Sequence, residues 1–359
     1  MKILHVETGR HFYGGAQQVV WLAQGLNGRG IENILVCTPD SDIFAVARAE
    51  AIEVAPLSCS GDLDFSFAWR LRRQLTKERP DIVHCHSRRG ADFLGGQAAA
   101  MAGIPAVVSR RVDNADSALG ALLRYRLFKK VIAISQHVQA TLQDGGLGSD
   151  RLALIRSAVL ADRFDHPVDS ASIRRQFGIE DDTAALATVG QLIPRKGHRY
   201  LLQALAGRAA PPCKLVIFGV GPLEEELRAL VDSLGLREKV CFAGFRGDLD
   251  EFLAGFDVLV HPALQEGLGV AMLKAAAAAV PVVAFDAAGS REAVVNGETG
   301  LLVPVKNTAA LSEAILRLAR DPDRRAQLGA AGRQRMQQEF SVDRMVDAHI
   351  DLYQSVLNG

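Results

Sequence analysis

The residues best suited to chemistry lie in the stretch His261-Pro262-Ala263-Leu264-Gln265-Glu266-Gly267-Leu268-Gly269-Val270, where an acidic residue sits in a glycine turn ahead of a small-residue helix start. A helix start leaves backbone N–H groups unpaired and points the positive end of the helix dipole outward, which makes this corner a phosphate site. A carboxylate repels a phosphate, and Glu266 belongs there only if it accepts from hydroxyls carried by the same ligand. A sugar joined to a phosphate is such a ligand. Upstream, Arg195-Lys196-Gly197 follows the apolar run Ala185 to Gly190. A guanidinium fork beside an ammonium point charge suits a diphosphate. Alone, such a loop is more often solvated surface; beside Glu266, phosphate binding is the better reading.

Two further glycine turns follow apolar runs. Gly14-Gly15 comes after Ile3 to Val6 and would let backbone N–H groups approach an anionic ligand, or would simply make a tight turn. Gly219-Val220-Gly221-Pro222 follows Leu215 to Phe218, with Pro222 expected in the first turn of the next helix and Glu224, Glu225 and Glu226 favouring its N-terminus. That turn would serve structure first and contact a base or ribose second. The dinucleotide fingerprint G-x-G-x-x-G is absent, which weakens a dehydrogenase reading.

The N-terminal half carries His84-Cys85-His86-Ser87-Arg88-Arg89-Gly90 and Ser109-Arg110-Arg111-Val112-Asp113-Asn114. Alternate strand residues share a face, so His84 and His86 could ligate a metal, yet no carboxylate or cysteine set converges on them in sequence. We expect His84 to be packed and His86, Arg88 and Arg111 to meet an acceptor. Between residues 66 and 130 thirteen cations face five acids, although the whole chain has a formal net charge of +0. Part of this surplus is the solvated face of a helix from Trp69 to Glu78. The rest points to an anionic acceptor or an acidic membrane surface.

The elements that would hold these residues alternate in type. Buried strands are expected at Ile3 to Val6, Ile34 to Cys37, Ile82 to His86, Ala106 to Ser109 and Val131 to Ser135, with helices such as Gln17 to Gly30 between them. The pattern breaks over the polar residues 157–178. It restarts at Ala185 to Gly190, Leu215 to Gly219, Val240 to Phe242, Val258 to His261 and Pro281 to Phe285. This is the βαβ rhythm of parallel sheets covered on both faces, and it predicts two doubly wound Rossmann-like α/β domains. We place them at residues 1–165 and 166–340, with a last amphipathic helix, residues 341–359, returning to the first.

At 359 residues the chain is too long for one ordinary core. A hydrophobic share of 48% and a charged share of 23% describe a soluble globular protein and argue against disorder and against a nucleic-acid partner. Met1 to Val6 leads straight into a strand without a secretory signal, and no run is long enough to span a bilayer. The five scattered cysteines read as buried free thiols in a reducing cytoplasm. The expected location is therefore cytoplasmic, with peripheral attachment to the inner face of the cytoplasmic membrane as a further possibility.

The ordered set Gly14-Gly15, Arg195-Lys196-Gly197, Gly219-Val220-Gly221-Pro222, Phe242-Ala243-Gly244-Phe245, Glu266-Gly267-Leu268-Gly269, Gly289-Ser290-Arg291-Glu292-Ala293-Val294 and Asn296 to Val303 resembles glycosyltransferase family 4 over essentially the whole chain. The resemblance implies a GT-B fold, with an acceptor-binding N-terminal domain facing a nucleotide-sugar-binding C-terminal domain across a cleft. It implies retaining sugar transfer by front-face attack, with no cofactor and no bound metal. Carried over by position, Glu266, Arg195 and Lys196 would be the catalytic set. Gly15, Gly219, Gly221, Phe245, Arg246, Leu268, Gly269 and Lys274 would line the donor, with main chain near Phe245 and Arg246 at the base.

The sequence also departs from the family pattern. A second glutamate, holding the ribose hydroxyls, is expected eight positions after Glu266, and Lys274 stands there. A lysine cannot accept those bonds. Either another group anchors the ribose, or Lys274 serves phosphate, or donor binding is weakened. Gln191 stands where many members have arginine, and Arg111 where many have histidine. The leading expectation is transfer from a nucleotide-diphosphate-sugar to an anionic glycan or glycolipid in bacterial lipopolysaccharide or exopolysaccharide assembly. The alternatives are a non-catalytic GT-B partner or regulatory protein with a degenerate donor site and, behind it, a nucleotide-sugar epimerase.

Overall fold

The structure is a computed structural model that describes residues 1–87, 90–113, 118–207 and 212–359. It contains two all-parallel sheets. The first comprises β1 (Lys2–Glu7), β2 (Glu32–Cys37), β3 (Val54–Pro56), β4 (Ile82–Cys85), β5 (Ala106–Arg110), β6 (Lys130–Ala133) and β7 (Leu152–Leu154), in the order β3-β2-β1-β4-β5-β6-β7. The second comprises β8 (Ala184–Val189), β9 (Cys213–Phe218), β10 (Val240–Gly244), β11 (Val258–His261), β12 (Val282–Phe285) and β13 (Gly300–Val303), in the order β10-β9-β8-β11-β12-β13. Together with their flanking helices these are the two Rossmann-like sheets of a GT-B fold.

The strands are near-continuous apolar runs because helices cover both faces of a parallel sheet. β1, for example, is buried from Ile3 to Glu7 and pairs with β2 on one side and β4 on the other. Each sheet has one place where successive strands run off in opposite directions, between β1 and β4 in the first and between β8 and β11 in the second. Such a switch point opens a crevice at the carboxyl ends of its strands. Gly15, His86, Arg195 and Glu266 follow these four strands in turn, whereas Arg111 follows β5, Gly219 and Gly221 follow β9, and Phe245 and Arg246 follow β10.

The chain divides into one compact unit of Met1–Ala158 with Val342–Gly359 and a second of Val159–Ser341. Residues 159–165, assigned to the first half from sequence, go with the second. Val159 N donates to Phe340 O at 2.8 Å, Val159 bridges to Ser341, and Ala161 and Phe164 are buried. The polar break at 157–178 thus conceals apolar anchors. The helix Val342–Asn358 belongs to the first unit, buries Met345, Val346, Leu352, Tyr353 and Val356, and is tied by Arg29 to Asp343 and Asp347. Sequence reading missed β3, β7 and β13: two are three-residue strands and the third lies inside a glycine-bearing motif. All five cysteines are free, and four of them are buried.

Candidate active site

Glu266 follows β11 and its side chain is almost wholly buried, where an isolated carboxylate would be strongly disfavoured. Two partners offset that cost. His261, the last residue of β11, contacts Glu266 Oε2 through Nε2 at 2.9 Å, and Lys196 Nζ makes a short salt bridge to the same oxygen. Burial pushes the carboxyl upward, but the charge of Lys196 and the hydrogen bond from His261 pull harder and hold it below the usual carboxylate range. Burial also keeps His261 below its ordinary value, outweighing its bond to Glu266. At neutral pH Glu266 is therefore an anion accepting from a neutral imidazole, and among the described residues no hydrogen bond engages Oε1, which can take a ligand hydroxyl.

Arg195 and Lys196 sit in the one-turn 3-10 helix Pro194–Lys196 after β8. The Arg195 carbonyl accepts from Leu264 N at 2.8 Å, which fixes this turn against the loop that carries Glu266. The half-buried Arg195 guanidinium makes no hydrogen bond or ion pair among the described residues. With His261 neutral, Arg195, Lys196 and Glu266 leave one positive charge in excess. Such a surplus favours an anionic ligand. His198, the first residue of the next helix, is buried and pushed down to about 4 by burial and then by the neighbouring His261 and Lys196; its Nδ1 has no partner among the described residues.

Gly269 caps the helix Val270–Ala277 at φ 85°, and among the described residues no side chain bonds to that helix's first amides. A Cβ there would lie 3.1 Å from Glu266 Cγ, so glycine serves both the left-handed turn and the approach of the carboxylate. Leu268 anchors the corner by burying its side chain. After β9, Gly219 N donates to Gly244 O at 2.8 Å, and Gly221 packs on Leu192. Pro222 does not open the helix as expected: Leu223 is its N-cap and the helix runs Glu224–Ser233. Phe245 is 55% exposed beyond β10, and Arg246 forks onto Asp248 at 2.8 and 2.6 Å.

The first unit gathers its polar side chains at the β1–β4 switch point. His5 and His84 face each other in register, and His86 follows β4. His84 bonds through Nδ1 to Tyr353 Oη at 2.7 Å and through Nε2 to Ser109 Oγ at 2.8 Å; His5 Nδ1 meets His86 Nε2 at 3.0 Å. Burial pushes His5 down to about 3, His349 to about 4, and His84 and His86 well below their ordinary value. One ring nitrogen from each of His5, His84 and His86 lies within 4.8 Å of the others. The third potential ligand thus comes from β1, far upstream of the two seen in sequence. Hydrogen bonds already engage both nitrogens of His84 and of His86 and one of His5, so the group reads as a bonded network.

His84 is packed as expected, and His86 is buried beside it at only 2% exposure. Its Nδ1 lies 3.4 Å from Arg111 Nη2. Arg111 is half-buried, pushed down to about 10 by burial against the opposing pull of Glu7, and lies 3.4 Å from where a Cβ on Gly15 would stand. Gly15 is already in the first turn of the helix Gly14–Gly28, whose N-cap residue Tyr13 makes no capping bond through its side chain. Arg111 and that helix start together form the polar corner of this unit. Arg88, also expected at the acceptor, lies outside the described residues.

Comparison with known proteins decides the family. The model described as "Glycosyl transferases group 1" matches residues 169–335, and "Glycosyltransferase Family 4" matches residues 13–163. The chain belongs to glycosyltransferase family 4. The lipopolysaccharide core biosynthesis glycosyltransferase LpsD of Rhizobium meliloti is 27% identical over 358 residues, 98% of each chain. A GDP-mannose-dependent monoacylated alpha-(1-6)-phosphatidylinositol monomannoside mannosyltransferase of Corynebacterium glutamicum is 34% identical, but the match spans 53% of this chain and 52% of that one. Anabaena Alr3699/HepE, solved in complex with UDP-glucose, shares the fold with a TM-score of 0.89 at 21% identity, covering 99% of this chain and 100% of that one.

Within this glycosyltransferase, Lys274 is not left free. Its Nζ contacts both oxygens of Asp250 at 2.7 and 3.0 Å, and both side chains are largely buried. Asp250 comes from the short helix Leu249–Phe252, outside the motif that drew attention to Lys274. His261, His198 and Asp250 were the site residues that sequence reading missed. The only available signal was position: His261 ends the strand before Glu266, and His198 follows Lys196 by two residues.

Proposed function

We propose that the protein is a retaining, metal-independent hexosyltransferase that moves a sugar from a nucleotide-diphosphate-sugar to a hydroxyl of an anionic glycan or glycolipid in bacterial lipopolysaccharide or exopolysaccharide assembly. The observation that carries this reading is the Glu266 corner, where, among the described residues, an ionised carboxylate with one uncommitted oxygen adjoins an unpartnered guanidinium and an uncapped helix start. The acceptor oxygen forms a bond to the anomeric carbon as the bond from that carbon to the diphosphate breaks. The acceptor's proton leaves with the nucleoside diphosphate. Negative charge grows on the departing group, where Arg195, the remaining donors of Lys196 and the amides beyond Gly269 stabilise it. Glu266 accepts from the sugar, and Arg111 attracts the acceptor.

The named relatives support a nucleotide-sugar donor and an envelope acceptor, through UDP-glucose, GDP-mannose and lipopolysaccharide core in their descriptions. Since their donors differ, the test is a panel of UDP-, GDP- and ADP-sugars, followed by nucleotide release and by the anomeric configuration of the product. Absence of both binding and turnover across the panel would sink the proposal. Inversion at the anomeric carbon, or turnover abolished by dialysis against a chelator, would remove its finer parts.

Lys274 favours a second reading, a non-catalytic partner with a degenerate donor site. The pair with Asp250 argues for the first, because it returns a carboxylate to the position where the lysine displaced one. An ammonium and a carboxylate side by side can donate to and accept from a vicinal diol.

A further inference from the structure

The helix Phe65–Glu78 has an outward face that the sugar site does not use. Asp64 Oδ1 caps the helix by accepting from Phe67 N at 3.2 Å, and Phe67, Ala68, Leu71 and Leu75 are buried on its inner side. On the outer side Phe65 and Trp69, one turn apart, are each 60% exposed, and Leu63 just ahead of them is 84% exposed. Single exposed apolar side chains are ordinary, but three large ones within seven residues form a patch. The same face continues along the helix with the exposed cations Arg73 and Lys77. Arg72 lies over the Trp69 ring at 5.7 Å and donates through Nε to the carbonyl of Met101, which is itself 40% exposed.

The nearby carboxylates are engaged. Asp62 accepts from Gly90 N at 2.6 Å, Asp64 holds Arg70 as well as the cap, and Glu78 at the far end pairs with Lys2 and Lys77. The face therefore has an aliphatic and aromatic tip followed by a basic stripe. Aromatic rings and apolar side chains partition into the boundary between lipid headgroups and acyl chains, and cations beside them are drawn to anionic headgroups.

We infer that Leu63, Phe65 and Trp69 insert into the interface of an anionic lipid bilayer, with Arg72, Arg73 and Lys77 at the headgroup phosphates. The chemistry selects a bilayer because the apolar tip is narrow and its surround is positive. This attachment does not depend on the sugar-transfer reading, since it needs no donor.

The two tryptophans make the test direct, because Trp21 is only 2% exposed and Trp69 is 60% exposed. The full chain is mixed with vesicles of phosphatidylcholine, alone or with phosphatidylglycerol, and followed by tryptophan fluorescence and co-sedimentation. The expected result is a blue shift and co-sedimentation with the anionic vesicles only. Leu63→Ser with Phe65→Ser should lower the partition coefficient tenfold or more while nucleotide-sugar affinity stays unchanged. Arg73→Glu with Lys77→Glu should abolish the preference for the anionic lipid. The inference fails if the wild-type chain stays in the supernatant at low salt, or if binding survives the serine variant. It also fails if that variant instead abolishes a lipid-free dimer, which would assign the patch to a second copy of the chain.

Discussion

Lowering the pH from 7 to 5 should destabilise the first unit far more than an ordinary domain of its size. His5, His84, His86 and His349 are buried, and burial holds each below its ordinary value, to about 3 for His5 and about 4 for His349. The unfolded chain takes up protons on these imidazoles near pH 6.5, whereas the folded chain does not. The stability they confer is therefore complete above pH 6.5 and falls as the pH drops towards the folded values. Integrated from pH 7 to pH 5, a histidine with an unfolded value of 6.5 and a folded value of 4 or lower loses about 1.9 kcal/mol. His5 and His349 together give about 3.8 kcal/mol, a large part of the total stability of about 5–15 kcal/mol for a typical domain, and His84 and His86 act in the same direction. Both tryptophans, Trp21 and Trp69, lie in this unit, so tryptophan fluorescence during urea titration reports it selectively. His349→Gln, which removes one titrating group, should reduce the difference between pH 7 and pH 5 by about 1.9 kcal/mol. A wild-type difference below about 2 kcal/mol would mean that these imidazoles titrate like exposed ones, and the buried-neutral account of the network would be wrong.

Arg195→Ala and Lys196→Ala should each weaken donor binding by about 1.5–3 kcal/mol, read by titration calorimetry with nucleoside diphosphates; unchanged affinity in both variants would remove the phosphate assignment. Lys274→Glu would set a carboxylate against Asp250 and should lower nucleotide affinity, whereas a large gain would mark the present site as degenerate. Asp250→Asn should also lower affinity for a ribonucleotide, with little change for its 2′,3′-dideoxy analogue. Gly219→Ala would place a Cβ 1.9 Å from Gly190 O at φ 143°, and thermal unfolding should show a loss of roughly 2 kcal/mol or more.

Features built from neighbours in sequence were the readable ones. The apolar runs of β1, β4, β8 and β11 and the glycine turns after them were visible as patterns, and they determine where the switch points fall. Glu266, Arg195 and Lys196 could be named because loops that leave central strands carry ligands. The supporting contacts were not readable, because they join residues that the fold alone brings together. Lys196 reaches Glu266 from another βα loop, Asp250 reaches Lys274 from a separate short helix, and His5 completes its network from the opposite end of the unit's sequence. His86 shows the same limit: its position after a strand was legible, but its burial between His5 and Arg111 was not. The boundary near residue 158 was blurred because Val159 joins the second unit through a single bridge to Ser341.

The helix Val342–Asn358 gives the first unit an unusual assembly history. During synthesis the strands from Lys2 to Leu154 emerge early, but Tyr353, which bonds to His84, and Asp343 and Asp347, which hold Arg29, emerge only after the whole second unit. Until then Nδ1 of His84 and the apolar surface under that helix lack their final partners. Domains usually mature in the order in which they are made. Here the second unit can close before the first, and the earliest residues wait for the latest. A nascent chain halted before residue 342 should thus show a protease-resistant second unit beside a still-cleavable first one.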